Sequence, residues 1–297
     1  MKKTILLLAI MLWMFGETPS AAKAQTGVVD TTQMVLVKTR DGNRYMGRIL
    51  SQDAASMVLR TDKVGVITLP ANQVVQVKTI RSQEIVDGQY WPENPHATRY
   101  LFGPNGYGLR KGEGYYSNTW IFFNQLSFGF TDNFTVGAGV IPLFLFAGAP
   151  TPIWITPKFS FPIKKDQVNV GVGGLFATVL GGDEGGSFGI AYGQLTLGSR
   201  DRNVNIGLGY GYAGNDWANT PTLSFSGVYR AGKRFALISE NYLFDTGNSN
   251  TILLSGGGRY LGDRLAIDGA FIIPTRTEGS LFAIPWLGIS VPIGGVE

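Results

Sequence analysis

Few residues in this chain could do chemistry, and most of those sit inside segments of alternating character. Lys158, Arg230, Glu240, Arg259 and Asp268 fall at or near the interiors of such segments. Charges of both signs there suit either an ion-pair network or the lining of a conduit. Catalysis has little to work with. The absence of Cys excludes disulfides, thiolate metal sites and a thiol nucleophile. The one His, His96, lies in a linker with Pro92 and Pro95 rather than on a strand, which argues against a Ser-His hydrolase or a His-built metal site. Asp183-Glu184 reads as a solvated tip of a glycine loop rather than a Ca2+ site. Gly209-x-Gly211-x-x-Gly214 matches a dinucleotide fingerprint, but the motif needs a helix after it. Asn215-Asp216-Trp217 and another strand follow instead. The expectation is a protein that is not an enzyme, with no cofactor and no metal.

The segments that position those charges are strands. In Asn203 to Tyr212, Val204, Ile206, Leu208, Tyr210 and Tyr212 share one parity, and Asn203, Asn205, Gly207, Gly209 and Gly211 share the other. Successive side chains of a strand point to opposite faces, so one face is greasy and the other small and polar. A membrane barrel turns the greasy face to lipid and keeps the small, polar face inside. Composition agrees. Charged residues are 15%, against ~25% in soluble domains. All but six of the 41 glycines follow residue 100. That density suits the inside of a tight barrel better than ordinary strands, which Gly weakens.

Residues 1–24 read as a secretory signal peptide. Lys2 and Lys3 precede the apolar run Ile5 to Phe15, and Ala22-Lys23-Ala24 is a small-residue cleavage site. Cleavage there removes three lysines and one glutamate, taking the net charge from +4 to +2. Little then remains of a basic character that would attract nucleic acid.

From Arg99 onward the chain reads as hairpins. Polar turns at Thr131-Asp132-Asn133, Lys164-Lys165-Asp166, Arg200-Asp201-Arg202, Gly232-Lys233 and Gly262-Asp263 recur about every 30 to 36 residues. Longer connections fall between them, the asymmetry of outer-membrane barrels. The strands expected are 115–130, 134–142, 151–163, 167–180, 187–199, 203–213, 221–231, 234–244, 251–261, 264–274 and 281–293. That is eleven. Both chain ends should lie on the short-turn side, so a twelfth strand is assigned to Arg99 to Arg110. Ten strands is the alternative, if Arg99 to Tyr116 packs as a plug. Parity puts Asp268 inside, opposite in sense to Leu265, Ile267, Phe271 and Ile273. It puts Lys158 inside by the same argument from Ile153, Ile155, Phe159 and Phe161. Arg259 is expected as a diagonal neighbour of Asp268. Tyr115, Tyr116, Trp120, Trp154, Trp217, Tyr242, Tyr260 and Trp286 fall near strand ends, which suits membrane-interface girdles.

Residues 25–80 form a separate block, joined to the barrel of 99–297 by a linker at 81–98. Its strands are Met34 to Thr39, Tyr45 to Leu50, Ser56 to Arg60, Val64 to Leu69 and Val74 to Thr79, with a turn at Asp41-Gly42. It resembles an Sm/SH3-like fold through Asp41 to Gly47, Met57-Val58-Leu59 and Leu69-Pro70. The barrel start carries Arg99 to Pro104 (RYLFGP), Lys111 to Tyr116 (KGEGYY), Phe130 to Phe134 (FTDNF) and Thr156 to Lys158 (TPK). With these, the chain resembles an uncharacterised family of bacterial outer-membrane β-barrel proteins with an N-terminal Sm/SH3-like module. The resemblance implies an all-β protein, a small module followed by an antiparallel transmembrane barrel of about twelve strands, with the module in the periplasm. The terminus Gly294-Gly295-Val296-Glu297 departs from the aromatic ending usual in barrels. The function expected is a non-enzymatic outer-membrane barrel in contact with lipid. Its module would dock a periplasmic protein through residues 33–80 or brace the envelope. The alternative is a narrow pore for small solutes or ions.

Overall fold

The computed structural model describes residues 33–80, 84–92, 94–181, 186–245, 250–262, 265–275 and 282–294. The signal-peptide reading, Asp183-Glu184, Asp263 and the last three residues lie outside them. Two compact units divide the chain between Tyr90 and Trp91.

In the first unit, β1 (Met34–Thr39), β2 (Arg44–Gln52), β3 (Ser56–Thr61), β4 (Gly65–Pro70) and β5 (Val74–Thr79) form an antiparallel sheet in the order β4-β3-β2-β1-β5. Alternation buries Val35, Val37, Ile49, Met57, Leu59 and Leu69 together on one side. A two-residue hairpin follows, β6 (Ile85–Val86) and β7 (Gln89–Tyr90). Its Asp87-Gly88 turn has φ of 49° and 68°, the two left-handed positions of a tight hairpin turn. Lys78 donates to the buried Glu84 carboxylate at 3.4 Å and to Tyr90 Oη at 3.3 Å. Burial pulls the Lys78 ammonium down, but Tyr90 and Glu84 outweigh it and hold the group above its ordinary value.

The second unit is a closed antiparallel barrel with twelve strands among the described residues. These are β8 (Gly114–Thr119), β9 (Phe123–Gly129), β10 (Phe134–Val140), β11 (Thr151–Lys164), β12 (Val168–Leu180), β13 (Ser187–Gly198), β14 (Arg202–Ala213), β16 (Thr222–Gly232), β17 (Phe235–Asp245), β18 (Asn250–Leu261), β19 (Ala266–Pro274) and β20 (Ile284–Ile293). A two-residue strand, β15 (Asp216–Trp217), extends β14 in the connection to β16. Pairing of β20 with β8, from Gly288↔Thr119 to Ile293↔Gly114, closes the ring. Short turns gather at one end, where β8 begins and β20 finishes. The longer connections gather at the other, among them a five-residue helix, Pro142–Phe146. No helix among the described residues is long and apolar enough to cross a membrane. The outer face of the barrel instead presents exposed apolar side chains, for example Val204, Ile206 and Leu208 on β14 and Leu287 and Ile289 on β20.

The strand number expected is met, but by a different strand. Residues 115–130 are not one strand. They form the β8–β9 hairpin, turned at Trp120 (φ 49°) and Ile121 (φ 70°). Sequence punctuation misses this turn because Gly, Asn or Asp normally occupies such positions. Residues 99–110, expected as the twelfth strand, contribute only an isolated bridge, Arg99↔Pro104. Residues 91–98, expected as linker, belong to the barrel unit.

Ile121 is exposed and β-branched in the left-handed region, which is strained for such residues. Ile121→Gly is expected to raise stability by roughly 1 kcal/mol. The measurement is the urea midpoint of the refolded barrel; a lower midpoint would count against strain at this turn.

Candidate functional site

The interior of the barrel is occupied by its own chain. Residues 94–110 run through the lumen, and His96, Tyr100 and Asn105 are fully buried. A tight loop is made where Tyr100 N–H donates to Gly103 O at 2.9 Å, with Leu101 and Phe102 at its tip. Asn105 Nδ2 donates to Ala97 O at 2.8 Å and ties the two arms together.

The charged residues of the barrel wall grip this segment mainly by its backbone. On β17, Glu240 accepts from the consecutive amides of Leu101 (2.7 Å), Phe102 (3.0 Å) and Gly103 (2.9 Å). It also accepts from Tyr242 Oη at 2.7 Å. A carboxylate with four donors is well satisfied away from water. Gly103 allows this approach, since a Cβ there would lie 3.1 Å from Glu240 Oε1 and collide with Tyr242 Oη. Across the lumen on β11, Lys158 donates to Tyr107 O (2.6 Å), Thr98 O (3.1 Å) and Asn105 O (3.4 Å). Three carbonyls replace its hydration shell. Neither Lys158 nor Glu240 forms an ion pair among the described residues.

Among the described residues, β18 and β19 carry a compact ion cluster. Arg259 and Asp268 stand directly opposite in the β18–β19 register, a correction to the diagonal placement expected. Arg259 donates to Asp268 through Nε at 2.6 Å and Nη2 at 3.0 Å. It also reaches His96 O at 2.8 Å and Tyr100 O at 2.6 Å. Arg99, on the inserted loop, adds a third bond to Asp268 at 3.2 Å. Arg230, near the short-turn end of β16, is 1% exposed. It donates to Pro92 O (2.8 Å) and Lys233 O (2.7 Å), pairs with Asp201 and lies against the Trp91 ring.

Sequence reasoning missed the neutral partners of the segment. Gly106 N–H donates to Thr196 Oγ1 at 2.7 Å, Leu109 N–H to Thr135 Oγ1 at 3.0 Å and Tyr100 Oη to Asn203 Oδ1 at 2.6 Å. Only their inward parity signalled them. His96, expected in an open linker, is buried against Tyr115. Neither of its ring nitrogens has a hydrogen-bond partner among the described residues, so no nucleophile is hydrogen-bonded to it.

The aromatic girdle needs correcting. Tyr116, Trp217 and Tyr260 are exposed on the outside. Tyr115, Trp154 and Trp286 are instead buried within the barrel, and Trp120 and Tyr242 border its internal cavity. Parity explains it: Trp154 shares a face with Lys158, and Tyr242 with Glu240.

Space remains around the loop among the described residues. A crevice of about 160 Å³ lies alongside it, with Gln125, Thr156, Lys158 and Gln194 among its lining. At ~30 Å³ per water, that holds about five waters. A larger cavity of about 720 Å³ opens beyond the tip, toward the long-connection end.

No protein-family model and no curated protein matches the chain. Among solved structures, the chain is similar to a KdgM porin in complex with disordered oligogalacturonate, at 11% identity and a TM-score of 0.45, covering 61% of this chain and 97% of that one. It is also similar to the NanC porin, at 10% identity and a TM-score of 0.40, covering 62% and 98%. A third is the outer-membrane expressed OmpT of Vibrio cholerae, at 12% identity and a TM-score of 0.33, covering 92% and 100%.

Proposed function

We propose that the chain is a non-enzymatic outer-membrane barrel working as a narrow channel, closed at rest by residues 94–110. The carrying observation is the inserted loop, pinned by Lys158 on one wall and Glu240 on another. The apolar outer face supports the membrane setting, and the short turns support a periplasmic location for the end from which the loop enters. On this reading the loop occupies the path through the lumen, and solute passage requires it to shift. Lys158, Arg230, Glu240, Arg259 and Asp268 are read as the latch of this loop rather than as a bare selectivity lining.

A covalent lock tests the reading. A Cβ built on Gly108 falls 3.1 Å from Ser160 Cβ, slightly under the 3.5–4.5 Å of a disulfide. The chain has no Cys to interfere. In the Glu240→Ala background, where the loop tip is released, Gly108→Cys with Ser160→Cys should conduct in planar bilayers only after reduction, and be silent when oxidised. Equal conductance in both states would sink the plugged-channel reading.

Docking by residues 33–80 is a second reading, favoured by the exposed Val66 on β4 and Val75 and Val77 on β5, the two edge strands. Unpaired edges with exposed apolar side chains invite strand addition. Val75→Lys with Val77→Lys is expected to abolish a cross-linked periplasmic adduct in whole cells. An adduct of undiminished yield would remove this reading.

A further inference from the structure

We infer that the barrel wall between β17 and β18 is a lateral port, through which a small uncharged apolar molecule passes between the membrane and the cavity beyond the loop tip. The inference uses the membrane setting of the barrel and not the movement of residues 94–110.

The cavity of about 720 Å³ has largely apolar walls, whereas membrane-barrel interiors are generally polar. Trp120, Phe123, Trp154, Phe188 and Ile272 are among its lining, with Phe102 at the loop tip. Phe123 lies between the rings of Trp120 and Trp154, at 6.1 and 6.2 Å. The polar side chains bordering it spend their atoms on the protein. Trp120 Nε1 donates to Pro285 O at 2.7 Å, and Trp154 Nε1 to Gln125 Oε1 at 2.8 Å. Glu240 takes two donors on each oxygen: the Leu101 and Phe102 amides on one, the Gly103 amide and the Tyr242 hydroxyl on the other. A carboxylate has about four acceptor sites, so this one keeps none for a guest. Recognition is left to apolar and aromatic surface. The volume lies within the ~300–1,000 Å³ of small-molecule sites.

The wall beside this cavity is interrupted. The β17–β18 ladder runs from Phe235↔Tyr260 to Ile238↔Gly257 and resumes, in the same register, from Tyr242↔Leu253 to Asp245↔Asn250. Between these stretches, residues 239–241 are not paired with 254–256. The β11–β12 ladder lapses too, at Thr156-Pro157, but there Pro157 lacks an N–H. Every residue in the β17–β18 gap has its amide. Side chains take the place of the ladder. Ser255 Oγ accepts from Glu240 N–H at 2.9 Å and donates to Glu240 O at 2.5 Å. Ser255 N–H donates to Asn241 Oδ1 at 2.9 Å, and Ser239 Oγ to Ser255 O at 2.7 Å. The backbone is thereby satisfied, as a wall facing lipid requires. Bonds of this kind yield to a rotamer change, a fast local motion; ladder bonds yield only when strands separate.

Space meets the gap on both sides. Glu240, Tyr242, Leu253 and Ser255 border the cavity. The alternate residues Ser239, Asn241 and Gly256 border a groove that also takes in the exposed Val204, Phe225 and Leu237 of the outer face. Cavity and groove therefore back onto each other across this one stretch of wall, and the residues at the outer mouth are small or polar.

The test uses the full chain in lipid nanodiscs with pyrene as the probe, read by energy transfer from tryptophan and corrected with empty discs. Pyrene should bind saturably at one per barrel. Ala177→Phe and Thr119→Phe fill the cavity from two walls. Each that folds, judged by heat-modifiable gel mobility, should bind at least 10-fold more weakly. Gly256→Phe covers the outer mouth and leaves the cavity as it is, since a Cβ there meets nothing within 4 Å. Its affinity should stay within 2-fold of the parent while entry and exit, followed by stopped flow, both slow at least 10-fold. Binding that is unsaturable, or unchanged in the cavity-filling variants, would place pyrene in lipid and overturn the site. Parent rates in Gly256→Phe would move entry to the long-connection end and overturn the port, as would a loss of affinity in place of a loss of rate. The readouts are binding and exchange rather than conductance, so this inference can fail while the channel reading stands.

Discussion

Glu240→Ala is expected to turn a quiet barrel into a conducting one. The side chain accepts three successive backbone amides at the loop tip and the Tyr242 hydroxyl. Its loss leaves four donors without their acceptor in a space that water barely reaches. An unsatisfied buried donor costs roughly 1–3 kcal/mol, and removing a charged partner about 3–5 kcal/mol in all. The tip is the part of the loop with least other support. Phe102 is half exposed, and the bonds to Lys158 and Arg259 attach to residues on either side of it. The penalty therefore falls on the closed state: once the tip lifts, its amides meet water. Step-like conductance should appear in planar bilayers where the parent is silent. Glu240→Gln keeps the shape and one acceptor oxygen, and should sit between them. A Glu240→Ala barrel that stays silent and melts like the parent would mean that this carboxylate does not hold the loop.

Much of the barrel was legible because its signals are local. Period-two alternation and polar turns place β10 to β20, the two-residue β15 apart, within a few residues of the bounds observed. Inward parity identifies Lys158 and Asp268 without knowledge of the neighbours, and Glu240 is placed inside because the other face would expose its charge to lipid. What failed were statements needing a third dimension. The Trp120-Ile121 turn has no turn chemistry in its residues, because tertiary packing of Trp120 against Trp286 holds it. Trp154 and Trp286 read as girdle residues from position along the strand, although parity put them inside. A lumen wide enough to need filling can be filled by wall side chains or by a length of chain, and composition does not choose between these. Arg99 to Arg110 is glycine-rich and apolar either way. Its place inside the lumen, offered by the sequence only as the ten-strand alternative, is seen where Gly103 and Gly106 permit close approach to Glu240 and to Asn169 O.

Asp268→Ala should cost stability without opening the channel to the same degree. Asp268 is 1% exposed and accepts two bonds from Arg259 and one from Arg99. Deleting it leaves two guanidinium groups side by side with no anion between them, a loss of about 3–5 kcal/mol. Arg259 keeps the carbonyls of His96 and Tyr100, and Glu240 and Lys158 keep the loop. The damage is then repulsion within the closed state rather than release of the tip. Salt should rescue little of it, because screening barely reaches buried charges. Adding Arg259→Met to Asp268→Ala should recover part of the loss, since removing both members of a buried pair is far milder than removing one. Recovery stays partial because the carbonyl bonds of Arg259 go with it. The measurement is the temperature of the heat-modifiable gel shift for parent, both single variants and the double variant, each paired with bilayer recordings. Additive losses would show that Arg259 and Asp268 are not coupled. Strong conductance from Asp268→Ala with none from Glu240→Ala would move the latch from the loop tip to its base.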